Sequence, residues 1–265
     1  AITSGIGNVA IGALALDAED DGDRNTAVGY QALTDQTGTS GQVHNTAVGY
    51  VAGQNVTTGT ANTLIGSEVA QNLTTGIRNA VVGKSALNDA TTSSGSVAIG
   101  YQAGKSISTG NNNIVIGNDS MNGGTTTGDN NIAIGVSAGD ALTSGTLNTL
   151  MGKDAGGAIN TGFKNVAIGS SAGNGITTAL QNTFVGDIAG FNTTIGQYNT
   201  ALGAAALYID DVGNASVAVG YGSLGSQNSD SNNEETGNTG AGYETGYYNV
   251  TGQNNTWVGF KAGLG

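Results

Sequence analysis

The chain has 265 residues with 47 Gly, no Pro, no Cys and only 14 Phe, Tyr and Trp, and its 54 Leu, Ile, Val and Phe lie near the level below which chains stay disordered, so any order has to come from repetition rather than from an ordinary mixed core. Seven Lys and Arg against 19 Asp and Glu give a net charge of −12, which repels phosphate backbones and anionic lipid and excludes nucleic acid as a partner. No run approaches the ~18 apolar residues of a membrane span, which excludes membrane insertion, and without cysteine there is no disulfide framework and no thiolate metal site.

The first predicted strand lies in Asn8-Val9-Ala10-Ile11-Gly12, and the same block returns at Asn25 to Gly29, Asn45 to Gly49, Ser96 to Gly100, Asn165 to Gly169 and Asn255 to Gly259. Fifteen copies align on Gly12, Gly29, Gly49, Gly66, Gly83, Gly100, Gly117, Gly135, Gly152, Gly169, Gly186, Gly203, Gly220, Gly242 and Gly259, spaced by 17 residues except for 20 before Gly49, 18 before Gly135 and 22 before Gly242. Positions are numbered from that glycine as phase 0. Phases −3 to −1 are apolar or Thr and rich in β-branching, which predicts a short strand. Phase +3 is small (Ala32, Ala52, Ala86), phase +7 is aliphatic in many copies (Val56, Leu73, Ile107), and a Thr-Thr-Gly or Ser-Thr-Gly turn precedes the Asn at phase −4. This pattern predicts an all-β fold, a parallel β-solenoid (β-roll) of about fifteen 17-residue coils forming one repeat domain over residues 1–265. Like phases would stack ~4.8 Å apart over a length on the order of 70 Å. The recurring Asn is expected to form a structural amide ladder.

Between the first two copies, Asp17-Ala18-Glu19-Asp20-Asp21-Gly22-Asp23 places acids at loop positions 1, 3, 5 and 7 and glycine at 6, as at the start of an EF-hand loop. Asp17, Glu19, Asp21 and Asp23 are therefore candidate Ca2+ ligands, although Val28 stands where the bidentate Glu belongs. The one histidine, His44, falls in the 20-residue period with no nucleophile elbow around it, so no catalytic residue is assigned. At the middle strand position, phase −2, stand Leu64, Val81, Val115, Leu150, Phe184 and Trp257. If this row points outward, the strand is apolar on both faces and belongs against another chain, which makes these six the expected interface of a homo-oligomer. Thr58, Thr75, Thr92 and Thr109 form a rank of the kind that orders water on ice-binding solenoids, but each pairs with an adjacent residue rather than in Thr-x-Thr spacing. Asp230, Glu234 and Glu235 make a second acidic group in the 22-residue period. Ala1 and Gly265 both fall at phase +6, which predicts either end-to-end self-association or excision from a longer fibre.

Ser96-Val97-Ala98-Ile99-Gly100 and Ser216-Val217-Ala218-Val219-Gly220 resemble the head repeat of YadA-type trimeric autotransporter adhesins, whose heads are left-handed parallel β-rolls about a threefold axis. Asn25-Thr26-Ala27-Val28-Gly29-Tyr30-Gln31-Ala32 is similar to repeats of phage tail fibres and large bacterial surface proteins. The resemblance covers nearly the whole chain. It implies a homotrimer, an extracellular, cell-surface or virion location, and a non-enzymatic fibre segment that adheres to a cell-surface receptor or glycan. The alternatives are a self-polymerising structural filament subunit, which would lack a threefold assembly, and an ice-binding solenoid, which would show thermal hysteresis.

Overall fold

The computed structural model describes residues 4–19, 21–37, 41–232 and 234–264. The described chain is all-β with no helix, a parallel β-solenoid of about 14 turns of ~17 residues. Two compact units divide it, Ala1–Asn130 and Asn131–Gly265. The first carries β1 (Val9–Ile11), β2 (Gly22–Asp23), β3 (Thr26–Val28), β4 (Gly41–Gln42), β5 (Thr46–Val48), β6 (Thr63–Ile65), β7 (Ala80–Val82), β8 (Val97–Ile99) and β9 (Ile114–Ile116). The second carries β10 (Ile132–Ile134), β11 (Thr149–Met151), β12 (Val166–Ile168), β13 (Thr183–Val185), β14 (Thr200–Leu202), β15 (Val217–Val219), β16 (Thr239–Ala241) and β17 (Thr256–Val258).

Within each unit every three-residue strand pairs parallel with its counterpart one turn away, and like phases face each other: Leu64 opposite Val81, Ala167 opposite Phe184. The longer periods keep this register, with Ala27 opposite Ala47 and Ala218 opposite Gly240. Their extra residues are absorbed outside the strand stack; in the first unit β2 and β4 form a short side ladder.

Two backbone demands shape each turn. At phase 0 the chain leaves the strand with φ between +118° and +145°, a region that only glycine occupies cheaply. A Cβ at Gly49 would also stand 2.1 Å from the carbonyl oxygen of Gly66, so the glycine is required by contact as well as by torsion. Phases +2, +4 and −5 are left-handed too, as at Val51, Gly53 and Ala61, with φ of 49°, 57° and 57°. Non-glycine residues there cost about 1 kcal/mol each. The N–H groups at phases +2 and −5 are satisfied by the preceding turn, Val51 N to Tyr30 O at 2.9 Å and Ala61 N to Val43 O at 2.8 Å, and those at phase +4 by the following turn, Leu33 N to Ala52 O at 3.0 Å.

The interior is filled from phases −2, +3, +4 and +7: Leu64, Val69, Ala70 and Leu73 are all fully buried. Contrary to the expectation of an outward row, Leu64, Val81, Val115, Leu150 and Phe184 point into the coil and are fully buried, and Trp257 points inward against Gly246 and Gly263. The variable size of this row is a packing match and not an interface code. Phase −2 side chains meet phase +4 of the turn before, and in most turns the two vary inversely: Leu33 with Ala47, Gly53 with Leu64, Leu87 with Ala98, Gly104 with Val115, Gly173 with Phe184, Leu207 with Ala218; Gly156 with Ala167 and Gly190 with Ala201 are small at both positions, and there Leu150 and Phe184 at phase −2 of the same turn stand against the glycine. A Cβ on Gly53 would stand 2.6 Å from Leu64 Cδ1. Close packing leaves no room for two large residues at such a pair.

Candidate functional site

Because phases −4 and −2 point in, phases −5, −3, −1 and +1 point out, and in each unit they make one strand face. Phase −1 is aliphatic in nearly every turn and stays 36–41% exposed at Val48, Ile65, Val82 and Ile99 in the first unit and at Met151, Leu202 and Val219 in the second. Phase −3 adds β-branched side chains such as Thr63, Val97, Ile114 and Val217. A contiguous aliphatic surface of this kind is uncommon on a chain that works alone.

Charge and aromatic groups rim this face. Arg24, Arg78 and Lys164 occupy phase −5, Lys84 and Lys153 phase +1, and Lys261 phase +2, which leaves Lys105 as the one Lys or Arg elsewhere among the seven. At phase +1 Tyr30 stacks on Tyr50 with ring centroids 5.6 Å apart, and Tyr221, Tyr243 and Phe260 stack in series at 5.2 and 5.4 Å. Lys261 lies 5.6 Å from the Phe260 ring centre and 3.2 Å from Glu244. Glu244 also accepts a hydrogen bond from the Tyr243 hydroxyl, and that bond holds the phenol above its ordinary pKa.

Among its described residues the acidic loop gathers no metal site. Glu19 stands at phase +7 and turns inward, fully buried, its Oε1 accepting from Gly22 N at 2.6 Å and Asp21 N at 3.2 Å. Asp23 accepts from the Ile6 N–H at 2.7 Å and Asp21 from the Ser4 hydroxyl, while Asp17 lies at exposed phase +5. Glu19, Asp21 and Asp23 are directed to different partners, and among the described residues no group of three or more His, Asp or Glu could hold a metal ion. Asp230 is exposed and Glu234 bonds the Gln253 amide, so the second acidic group is not gathered either.

The structure reveals instead a role for acids that the EF-hand spacing concealed. Glu19 has a counterpart in Asp210, also at phase +7 and buried, whose Oδ1 accepts from Gly213 N and Ser229 N at 3.1 Å each and whose Oδ2 accepts from Gln227 Nε2 at 2.5 Å. One turn on, phase +7 is Gln36 or Gln227, and each accepts from the next ladder amide, Asn45 at 2.7 Å and Asn238 at 2.9 Å. Each acid stands one turn before the Gln that opens the 20- or 22-residue period; Gln227 bonds Asp210, whereas the Gln36 amide donates to Thr57 O at 2.7 Å. The sequence signal was an acid in a column that is aliphatic in many copies, one turn before an irregular turn.

His44 is exposed, its Nε2 3.0 Å from Gln42 Oε1. Of the Thr ranks, phase +8 is used internally, Thr57 and Thr74 donating to the carbonyls of Thr74 and Thr91 at 3.3 and 2.9 Å, and phase +9 (Thr58, Thr75, Thr92) is exposed as a single rank. No pocket indents the described surface. No family model, curated protein or solved structure matches the chain. Its fold defines it as a parallel β-solenoid repeat protein, and its most distinctive surface is the aliphatic strand face.

Proposed function

We propose that the chain is a segment of an extracellular, non-enzymatic fibre on a cell surface or virion, assembled as a homotrimer through the aliphatic strand face and adhering to a receptor or glycan. The observation that carries self-assembly is the phase −1 column, in which Val48, Ile65, Val82 and Ile99 in the first unit and Met151, Leu202 and Val219 in the second each keep over a third of their surface in water. Covering such side chains contributes roughly 1.5–3 kcal/mol for each one fully buried, so a row of them favours association strongly. The adhesive role rests on the resemblance of Ser96 to Gly100 and Ser216 to Gly220 to adhesin head repeats.

The test separates the outward row from the inward one. Ile65→Asp with Ile99→Asp keeps the β circular dichroism and converts the assembly to monomers in sedimentation. Leu64→Asp, one residue earlier, buries an unpaired carboxylate and unfolds the chain. A wild-type chain that sediments as a monomer at all concentrations overturns self-assembly, and assembled protein that binds neither cells nor a glycan array overturns adhesion. Open-ended threads in negative-stain images would favour the structural filament.

A further inference from the structure

We infer that Asp187, Ala204 and Tyr221, on three successive turns of the second unit, form a binding site for an alkylammonium group, the side-chain amine of a lysine on a partner protein; this gives the receptor contact a chemistry and rests on the adhesive reading. The site is a break in the aromatic column. Tyr221, Tyr243 and Phe260 stack at 5.2 and 5.4 Å with planes within 17° of parallel, so the column holds one ring for each turn. The middle ring is the least exposed, Tyr243 at 43% against 51% for Tyr221 and 75% for Phe260. Tyr243 covers one face of Tyr221. The other face looks to the preceding turn, where phase +1 is Ala204, too short to cover it. One turn further back phase +1 is Asp187, which is exposed and whose carboxylate has no hydrogen bond or ion pair among the described residues. Like phases two turns apart are separated by about 9.6 Å, so a group resting on Ala204 lies about 5 Å from the level of the ring and of the carboxylate alike. That is within the ~6 Å over which a ring face attracts a cation. The result is an open shelf and not a pocket.

Three observations select the ligand. The chain's own Lys261 shows the chemistry further along the column, its amine 5.9 Å from the Tyr243 ring centre, 5.6 Å from that of Phe260 and 3.2 Å from Glu244. Lys261 stands at phase +2, and the turns of Asp187, Ala204 and Tyr221 have Ile188, Ala205 and Gly222 there, so no lysine of the chain fills the shelf. The shelf holds a full negative charge on a chain of net charge −12, which draws basic partners, and beyond that carboxylate and the Tyr221 hydroxyl it has no polar side chain for a sugar's hydroxyls. Ring and carboxylate also stand at different levels. A compact ammonium with three donors reaches both, whereas a guanidinium lying flat on the ring directs its fork away from Asp187.

Titration with Nα-acetyl-lysine methylamide, read by NMR at the Tyr221 ring and the neighbouring backbone amides, should give saturable shifts at millimolar concentrations. Asp187→Asn should weaken this binding about two- to fivefold, the scale of one exposed ion pair. Ala204→Tyr, which continues the column as Tyr50 continues that of Tyr30 in the first unit, should abolish it and leave the β circular dichroism intact. The norleucine analogue, which lacks the amine, should give no shift. No shift with the lysine compound, equal shifts with the norleucine analogue or with glucose, or binding that survives Ala204→Tyr overturns the site. Ala204→Tyr should also lower attachment to cells, and undiminished attachment overturns the site as the receptor contact. A wild type that binds the lysine compound but attaches to no cell overturns the adhesive reading alone.

Discussion

The backbone N–H and the side-chain amide of Asn79 both stand 3.0 Å from Oδ1 of Asn62, one turn earlier. The same double contact ties Asn62 to Asn45, Asn148 to Asn131 and Asn165 to Asn148. The remaining amide hydrogen donates to a turn carbonyl, Asn79 Nδ2 to Ser93 O at 2.8 Å. Ser96 interrupts this ladder, and Ser93, where other turns have Gly59, Gly76 or Gly110, makes up the missing donor with its hydroxyl 2.6 Å from Gly110 O. Asn79→Ala should therefore cost about 1–3 kcal/mol in urea unfolding. Ser96→Asn should also destabilise, because Ser93 already occupies the amide's place, and adding Ser93→Gly should recover the loss through a coupling of about 1 kcal/mol or more. Stabilisation by Ser96→Asn alone would contradict the substitution of one donor for the other.

Gly49→Ala meets both a φ of +145° and the Gly66 oxygen 2.1 Å from the new Cβ, whereas Gly259→Ala meets a φ of +121° and no described atom within 4 Å. Torsional strain of about 1–3 kcal/mol applies to each, and contact adds to it only at Gly49. Urea midpoints should rank Gly49→Ala well below Gly259→Ala, and equal midpoints would remove contact from the account.

The period, the strands and the Asn ladder were legible because each repeats in phase: Gly66 and Gly83, or Asn62 and Asn79, announce themselves by spacing alone. The direction of the strand faces was not. Leu64 and Ile65 are both apolar, and a one-residue slip in parity exchanges the inside and outside of a three-residue strand. What settles the parity is the size match between Leu64 and Gly53, a relation across turns that no single period displays. The left-handed positions were hidden for a different reason: Val51, Glu68 and Ser85 carry no common residue type, since inter-turn hydrogen bonds and not intrinsic preference hold them there. Glu19 was legible as an unusual acid, but loop spacing suggested a ligand where column position meant a buried acceptor.

That buried acceptor gives the sharpest test of the acid–Gln arrangement. Asp210 Oδ2 receives Gln227 Nε2 at 2.5 Å, and Gln227 cannot turn its amide over because its Oε1 receives Asn238 Nδ2 at 2.9 Å. Asp210→Asn keeps the size but sets N–H against N–H in the interior, which should cost about 1–3 kcal/mol, with faster hydrogen exchange at the Gly213 and Ser229 amides that bond Oδ1. Gln227→Glu alone places two carboxylates together and should be the least stable of the single variants. Combining the two substitutions returns a donor to face an acceptor, since the new amide at position 210 would point at the new carboxylate at position 227, and the Ser216 hydroxyl 2.9 Å from position 227 would turn from Thr236 Oγ1 to donate there. The double variant should thus melt above both single variants. If Asp210→Asn melts with the wild type, the carboxylate is not anchoring the turn that leads into the 22-residue period.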